Sequence, residues 1–105
     1  MASDQNFVDY VVGQIQNAGE ITAKKMFGEY ALYADGKMVA VICDNKLFVK
    51  PTIAGRAFIG KVVESPPYKG AKHSFLIEEK VEDTAWLSEL IRISAKELPA
   101  PKPKK

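Results

Sequence analysis

His73 and Cys43 are each the only residue of their type in this 105-residue chain, and they bound its chemistry. A serine nucleophile needs a histidine to take its proton, so any such triad would have to form around His73. Ser65 and Ser74 lie close by in sequence, yet neither sits in a G-x-S-x-G turn. A Cys43–His73 pair across a sheet would make a thiol nucleophile. A cysteine within an apolar strand is usually an inert small hydrophobe, however, and that reading is adopted here. The adjacent carboxylates Glu78-Glu79 and Glu82-Asp83 read as a solvated strand edge and a helix start, with no feature to separate their pKa values for acid–base work. One histidine and one cysteine are too few soft ligands for a zinc site. The expectation is therefore no catalytic, cofactor-binding or metal-binding residue, and no cofactor.

The most distinctive polar stretch is SPPYKGAKH, from Ser65 to His73. Gly70 permits a tight turn, and Lys69, Lys72 and His73 surround it with positive charge. These four residues are the candidate contact for an anion or a partner, through backbone N–H groups and lysines. The stretch lacks the repeated glycines of a phosphate-binding loop, so its plainer reading is a proline-directed turn with Tyr68 packed on the body. Phe27, Tyr30, Tyr33 and Phe48 raise the question of stacking platforms for single-stranded nucleic acid. Without arginines and lysines interleaved on the same face, core and cross-strand packing is the better account.

These residues must be positioned by the elements around them. Phe7, Val8, Val11, Val12 and Ile15 mark one face of an N-terminal helix, with Ser3 or Asp4 as cap and Asn17 and Gly19 as stop. Phe27–Ala34, Lys37–Cys43 and Lys46–Lys50 read as strands joined at Asp35-Gly36 and Asp44-Asn45. Pro51 ends the third strand. In the middle strand Met38, Ala40 and Ile42 are expected on one side and Val39, Val41 and Cys43 on the other. Both faces are apolar, so one should meet helices and the other a loop or a second subunit. A short helix is expected within Thr52–Lys61, lined by Ile53, Ala57 and Phe58 with Val62 and weakened by Gly55 and Gly60. His73–Glu79 alternates as a further strand. A closing helix carries Trp86, Leu87, Leu90, Ile91 and Leu98, with Asp83 as its cap and Pro99 as its end.

The bulk composition agrees with one globular unit: 47% hydrophobic and 27% charged residues. Residues 1–98 are expected to form the domain and residues 99–105 a flexible Pro/Lys tail. The formal charge is +2, but Lys102, Lys104 and Lys105 supply +3, which leaves residues 1–101 at −1. A body this close to neutral, with Arg56 and Arg92 its only arginines, argues against a dedicated nucleic-acid groove. Asp4 and Asp9 interrupt any signal-peptide core, and no apolar run is long enough to span a bilayer. With its lone cysteine the chain reads as cytoplasmic, with no membrane association.

Met26-Phe27-Gly28-Glu29-Tyr30-Ala31-Leu32-Tyr33, Asp35-Gly36-Lys37-Met38, Pro67-Tyr68-Lys69-Gly70-Ala71-Lys72 and Trp86-Leu87-Ser88-Glu89-Leu90 together resemble, in order and spacing, the N-terminal domain of the TfoX/Sxy family. The ending Leu98-Pro99-Ala100-Pro101-Lys102 is similar to that of its short, single-domain members. The resemblance implies an α+β fold: an antiparallel sheet of four to five strands packed against N- and C-terminal helices, in a secretion-chaperone-like two-layer arrangement. It also implies a link to competence and transcription regulation, and no catalytic residues. Those regulators are similar to a two-domain design of which this chain matches the N-terminal half, so competence regulation does not transfer directly. The leading reading is a non-enzymatic regulatory or protein-interaction module. Its expected partner is a protein, such as part of the transcription machinery, and a homodimer through an apolar sheet face is a further expectation. The alternatives are a nucleic-acid-associated factor using the tail and the Lys69–Lys72 loop, with weak or no direct binding, and a small-ligand binder or enzyme with a site near His73.

Overall fold

The computed structural model describes residues 4–26 and 29–98. Helix α1 (Gln5–Gln14) begins where the Asp4 carboxylate accepts the Asn6 N–H at 3.0 Å. It is followed by a 3₁₀ turn (Gln16–Ala18) that stops at Gly19, whose φ is 144°. The chain then forms β1 (Ile21–Met26), β2 (Glu29–Ala34), β3 (Lys37–Cys43), β4 (Lys46–Val49), α2 (Ile53–Ile59), β5 (Glu64–Ser65), β6 (Ser74–Ile77) and α3 (Thr84–Glu97). The strands make one antiparallel sheet in the order β1-β2-β3-β4-β6-β5. No helix among the described residues is long and apolar enough to cross a membrane.

Both meander turns appear where the sequence places them. Asp35 and Gly36 have φ of 52° and 85°, and Asp44 and Asn45 have 53° and 57°. Two successive positive φ values match the right-handed twist of the strands they join. Asp35 also holds the N-terminal segment, because its carboxylate accepts the Glu20 N–H at 2.9 Å. Asn45 does the same for α1, accepting the Asp4 N–H at 2.6 Å.

Six strands replace the expected four to five. The additions are β1, an edge strand with exposed Lys24 and Lys25, and β5, two residues long. The expected strand opening at Phe27 begins at Glu29 among the described residues. Residues 99–105, Ser3 and Pro99 lie outside the described residues, so the expectations placed on them are not addressed by the fold.

One face of the sheet carries the core. Leu32, Ala40, Ile42, Leu47, Val49, Phe75 and Ile77 meet Val8, Val11 and Ile15 of the N-terminal segment and Leu87, Leu90 and Ile91 of α3. Each fully buried large side chain here is worth roughly 1.5–3 kcal/mol of transfer free energy. Polar ties sit at the rim of this layer. Gln14 donates to the Val81 carbonyl and accepts from the Thr84 hydroxyl, both at 2.8 Å, and the Tyr30 hydroxyl donates to Gln5 at 2.8 Å.

The expected alternation in β3 fails at two residues, Met38 and Val39. Leu32 pairs with Ala40 but Tyr33 pairs with Met38, so Val39 is an extra residue in the ladder. This bulge turns Val39 into the core and leaves Met38 on the opposite face with Val41 and Cys43. In α2 the lining also differs from expectation. Ile53 is 84% exposed and Ala57 is exposed, while Gly55 is buried and Phe58 and Ile59 pack on the core. Gly55 is there for proximity: a Cβ on it would lie 2.5 Å from Thr52 Oγ1 and 3.3 Å from Ser94 Oγ on α3. The residue that seemed to weaken the helix is the one that lets it dock.

Candidate functional site

The face of the sheet away from the helices is built by register. Directly paired residues share a face, so Lys24, Ala31, Val41, Phe48 and Leu76 form one row across five strands' worth of backbone from β1 to β6. Beside it run Thr22, Tyr33 and Met38, and at the far end Cys43 pairs with Lys46. Lys50 follows Val49 on this same side, its N–H bonded to the Val39 carbonyl at 2.8 Å. Ala31, Phe48 and Cys43 are buried, whereas Tyr33, Met38, Val41 and Leu76 stay half-buried.

The stretch from Ser65 to His73 folds over one corner of this face. Ala71 N–H donates to the Tyr68 carbonyl at 3.0 Å, and Gly70 between them has φ of 89°. A positive φ at the third position of a turn is the reason a glycine stands there. The turn carries Pro67, Tyr68, Ala71 and Lys72 over Met38, Val41, Phe48 and Lys50, leaving a cleft of about 240 Å³ between loop and sheet. Ligand pockets usually run from about 300 to 1,000 Å³, so this recess suits a side chain better than a cofactor.

Of the four candidate contact residues, the structure brings only Lys72 to the cleft. Lys69 and Gly70 are exposed at the loop tip, and His73 is exposed outside the cleft. Tyr68 does not pack firmly on the body but stays 55% exposed at the rim. Sequence reasoning expected a loop or a second subunit over the Val41 face of β3, and the loop is there. It missed that this loop is the Ser65–His73 stretch and that Lys50, Met38 and Phe48 lie beside it. The signal available was the apolarity of both faces of β3. The lysines judged absent from the aromatic face are in fact present: Lys24 sits 5.4 Å from the Tyr33 ring centroid, and Lys46 and Lys50 flank Phe48.

The nucleophile pair does not form. Cys43 lies beside Lys46 at one end of β4, and His73 precedes Ser74 beyond its other end. Four residues of strand separate those ends, roughly 13 Å at about 3.3 Å per residue. Burial, with the Glu29 and Asp44 carboxylates nearby, pushes the Cys43 thiol above its ordinary pKa. Among the described residues no three His, Cys, Asp or Glu side chains come together as a metal site. A second, open cleft of about 690 Å³ runs beside β6 past the end of β5, between Ile59, Lys61, Phe75, Lys80 and Trp86. Its lysines are matched by Glu78 and Glu79 on the same wall, and it does not include His73.

Two comparisons with known proteins place the sequence among relatives. The sequence model of the family described as "TfoX N-terminal domain" matches residues 13–98. A protein of Spirochaeta aurantia, described as "Uncharacterized 12.7 kDa protein in trpE 5'region", is 42% identical over 105 residues, covering 100% of this chain and 91% of its own length.

Proposed function

The chain belongs to the TfoX N-terminal domain family, and on that premise we propose that it is a non-enzymatic regulatory module that works by binding a protein. The observation that carries this reading is the sheet face opposite the helices. Half-buried Tyr33, Met38, Val41 and Leu76 form a contiguous apolar strip there, with a side-chain-sized cleft under the Tyr68–Lys72 turn. Such a strip, rimmed by polar residues, is the usual mark of an interaction surface. The thiol and the imidazole stand toward opposite ends of β4 and do not form a pair. Regulation is the role that family membership suggests for such a surface, and the transcription machinery is the kind of partner in view.

The test is site-specific photo-crosslinking in the source cell. A crosslinker at Val41 should trap a defined protein, and one at Tyr10, exposed on α1, should not. The regulatory half is checked separately: a chromosomal Met38→Asp variant, verified as folded, should reproduce the transcript changes of a deletion. Equal trapping at both positions, or a wild-type transcript profile in the variant, refutes the reading.

A further inference from the structure

Resting on that reading, we infer that the occupant of the outer sheet face is an acidic, aliphatic-rich segment of a different protein. The charge on this face is one-sided. Lys24, Lys46, Lys50 and Lys72 surround the strip, while the carboxylates Glu29 and Asp44 stand together at one end, where Glu29 accepts the Asp44 N–H. Both arginines are engaged elsewhere, Arg56 with Glu64 and Arg92 with Glu89. Within the cleft, Lys50 and Lys72 stand over an apolar floor of Met38, Val41 and Phe48. A carboxylate beside a leucine-like side chain satisfies both halves of that arrangement. The pairing of lysine with apolar surface uses the alkyl stems as packing and the ammonium groups as steering charge.

The same charges disfavour two other occupants. A second copy bound across a two-fold axis would set this patch against itself, and with four lysines against two carboxylates on each copy it would leave surplus positive charge in the contact. Single-stranded nucleic acid would need rings to stack on. Phe48 is only 4% exposed, Tyr33 is half-buried with Lys24 over its ring, and Tyr68 is the one largely exposed ring among the described residues of this face.

The experiment pans random short displayed peptides against the immobilised full chain and measures the selected peptides by fluorescence anisotropy. Selected sequences should combine aspartate or glutamate with leucine, isoleucine or valine. Their affinity should fall tenfold or more for Lys50→Glu/Lys72→Glu and by less for Lys50→Gln/Lys72→Gln, with folding confirmed by circular dichroism. It should change less than about twofold, a fraction of a kcal/mol, for Lys61→Glu/Lys80→Glu in the second cleft. Selected peptides that are basic or uncharged, or that respond to the Lys61/Lys80 pair instead, overturn the inference and leave the interaction module standing. Displacement by oligothymidylate assigns the face to nucleic acid and overturns it too. So does a dimer in sedimentation that the Lys50/Lys72 reversal dissociates. No enriched peptide at all brings down both the inference and the reading beneath it.

Discussion

Replacing Gly55 by alanine should destabilise the domain, although the residue is in a helix where alanine is normally preferred. Propensity alone would favour alanine by roughly 0.8–1 kcal/mol. Against this, the new Cβ would lie 2.5 Å from Thr52 Oγ1, the atom that accepts the Gly55 N–H at 2.9 Å and caps α2. Displacing that hydroxyl forfeits a cap worth about 1 kcal/mol. The 3.3 Å approach to Ser94 Oγ adds overpacking across the α2–α3 contact, for which about 1–3 kcal/mol is usual. The net cost is about 1–3 kcal/mol, and each kcal/mol lowers Tm by roughly 4–8 °C in a domain of this size. Thermal and urea unfolding followed by circular dichroism measure it. The same substitution made in a Thr52→Ala background should cost less by about 1 kcal/mol or more, since the cap and its hydroxyl are already gone. A Gly55→Ala chain that melts higher than wild type in both backgrounds would refute the claim that close helix approach selects this glycine.

Glu97 accepts the backbone N–H groups of Ala54 and Ile53 at the start of α2, both at 2.8 Å, and these bonds hold its carboxyl below the usual pKa. A depressed folded pKa gives stability that is present above the unfolded value of about 4.3 and is lost as pH falls through the folded one. The Tm gap between wild type and Glu97→Gln should therefore be full at neutral pH and close in strong acid; a constant gap would show that charge is irrelevant. Asp35→Ala should cost about 2 kcal/mol, from a left-handed backbone that alanine adopts less readily than aspartate and from the lost acceptor for Glu20, with Asp35→Asn much milder in urea titrations. Ser94 Oγ is buried without a hydrogen-bond partner, so Ser94→Ala should leave Tm unchanged or raise it, unlike most buried substitutions. Cys43, buried and with its thiol pKa raised, should react with iodoacetamide slowly in the native chain and quickly in urea, as read by mass spectrometry.

The parts of the fold legible in the sequence were those decided locally. Asp35-Gly36 and Asp44-Asn45 require left-handed backbone, and their residue types announce it. Asp4 and Asp83 announce helix starts in the same way, and both cap the first turn as expected. What was missed depends on pairing at a distance. The segment Ile21-Thr22-Ala23-Lys24-Lys25-Met26 becomes a strand only because β2 offers it an edge, and Glu64-Ser65 only because β6 does. The bulge at Val39 leaves no mark in composition, yet it decides that Met38 joins the cleft and Val39 the core. Gly55 was misread because its smallness serves two contacts that propensity does not register, the Thr52 cap three residues before it and Ser94 on α3. For the candidate site, the loop lysines were visible in the sequence, and of them Lys72 borders the cleft. Lys24, Lys46 and Lys50 were visible too, but their sharing one face follows from the registers of four strands.

The two ends of the sheet bear on how this protein behaves in a crowded solution. An open antiparallel sheet offers each border strand as a template on which another chain can polymerise. At one border, β1 presents adjacent exposed lysines, Lys24 and Lys25, one toward each face. Any strand laid beside it would have to bury a charge whichever way its side chains pointed. At the other, β5 offers only two residues, and the backbone beyond it passes into Pro66 and Pro67, which have no N–H to donate to a further strand. Growth along the sheet is thus opposed at both borders by charge and brevity, so that the domain can display a broad sheet face without offering its borders as templates.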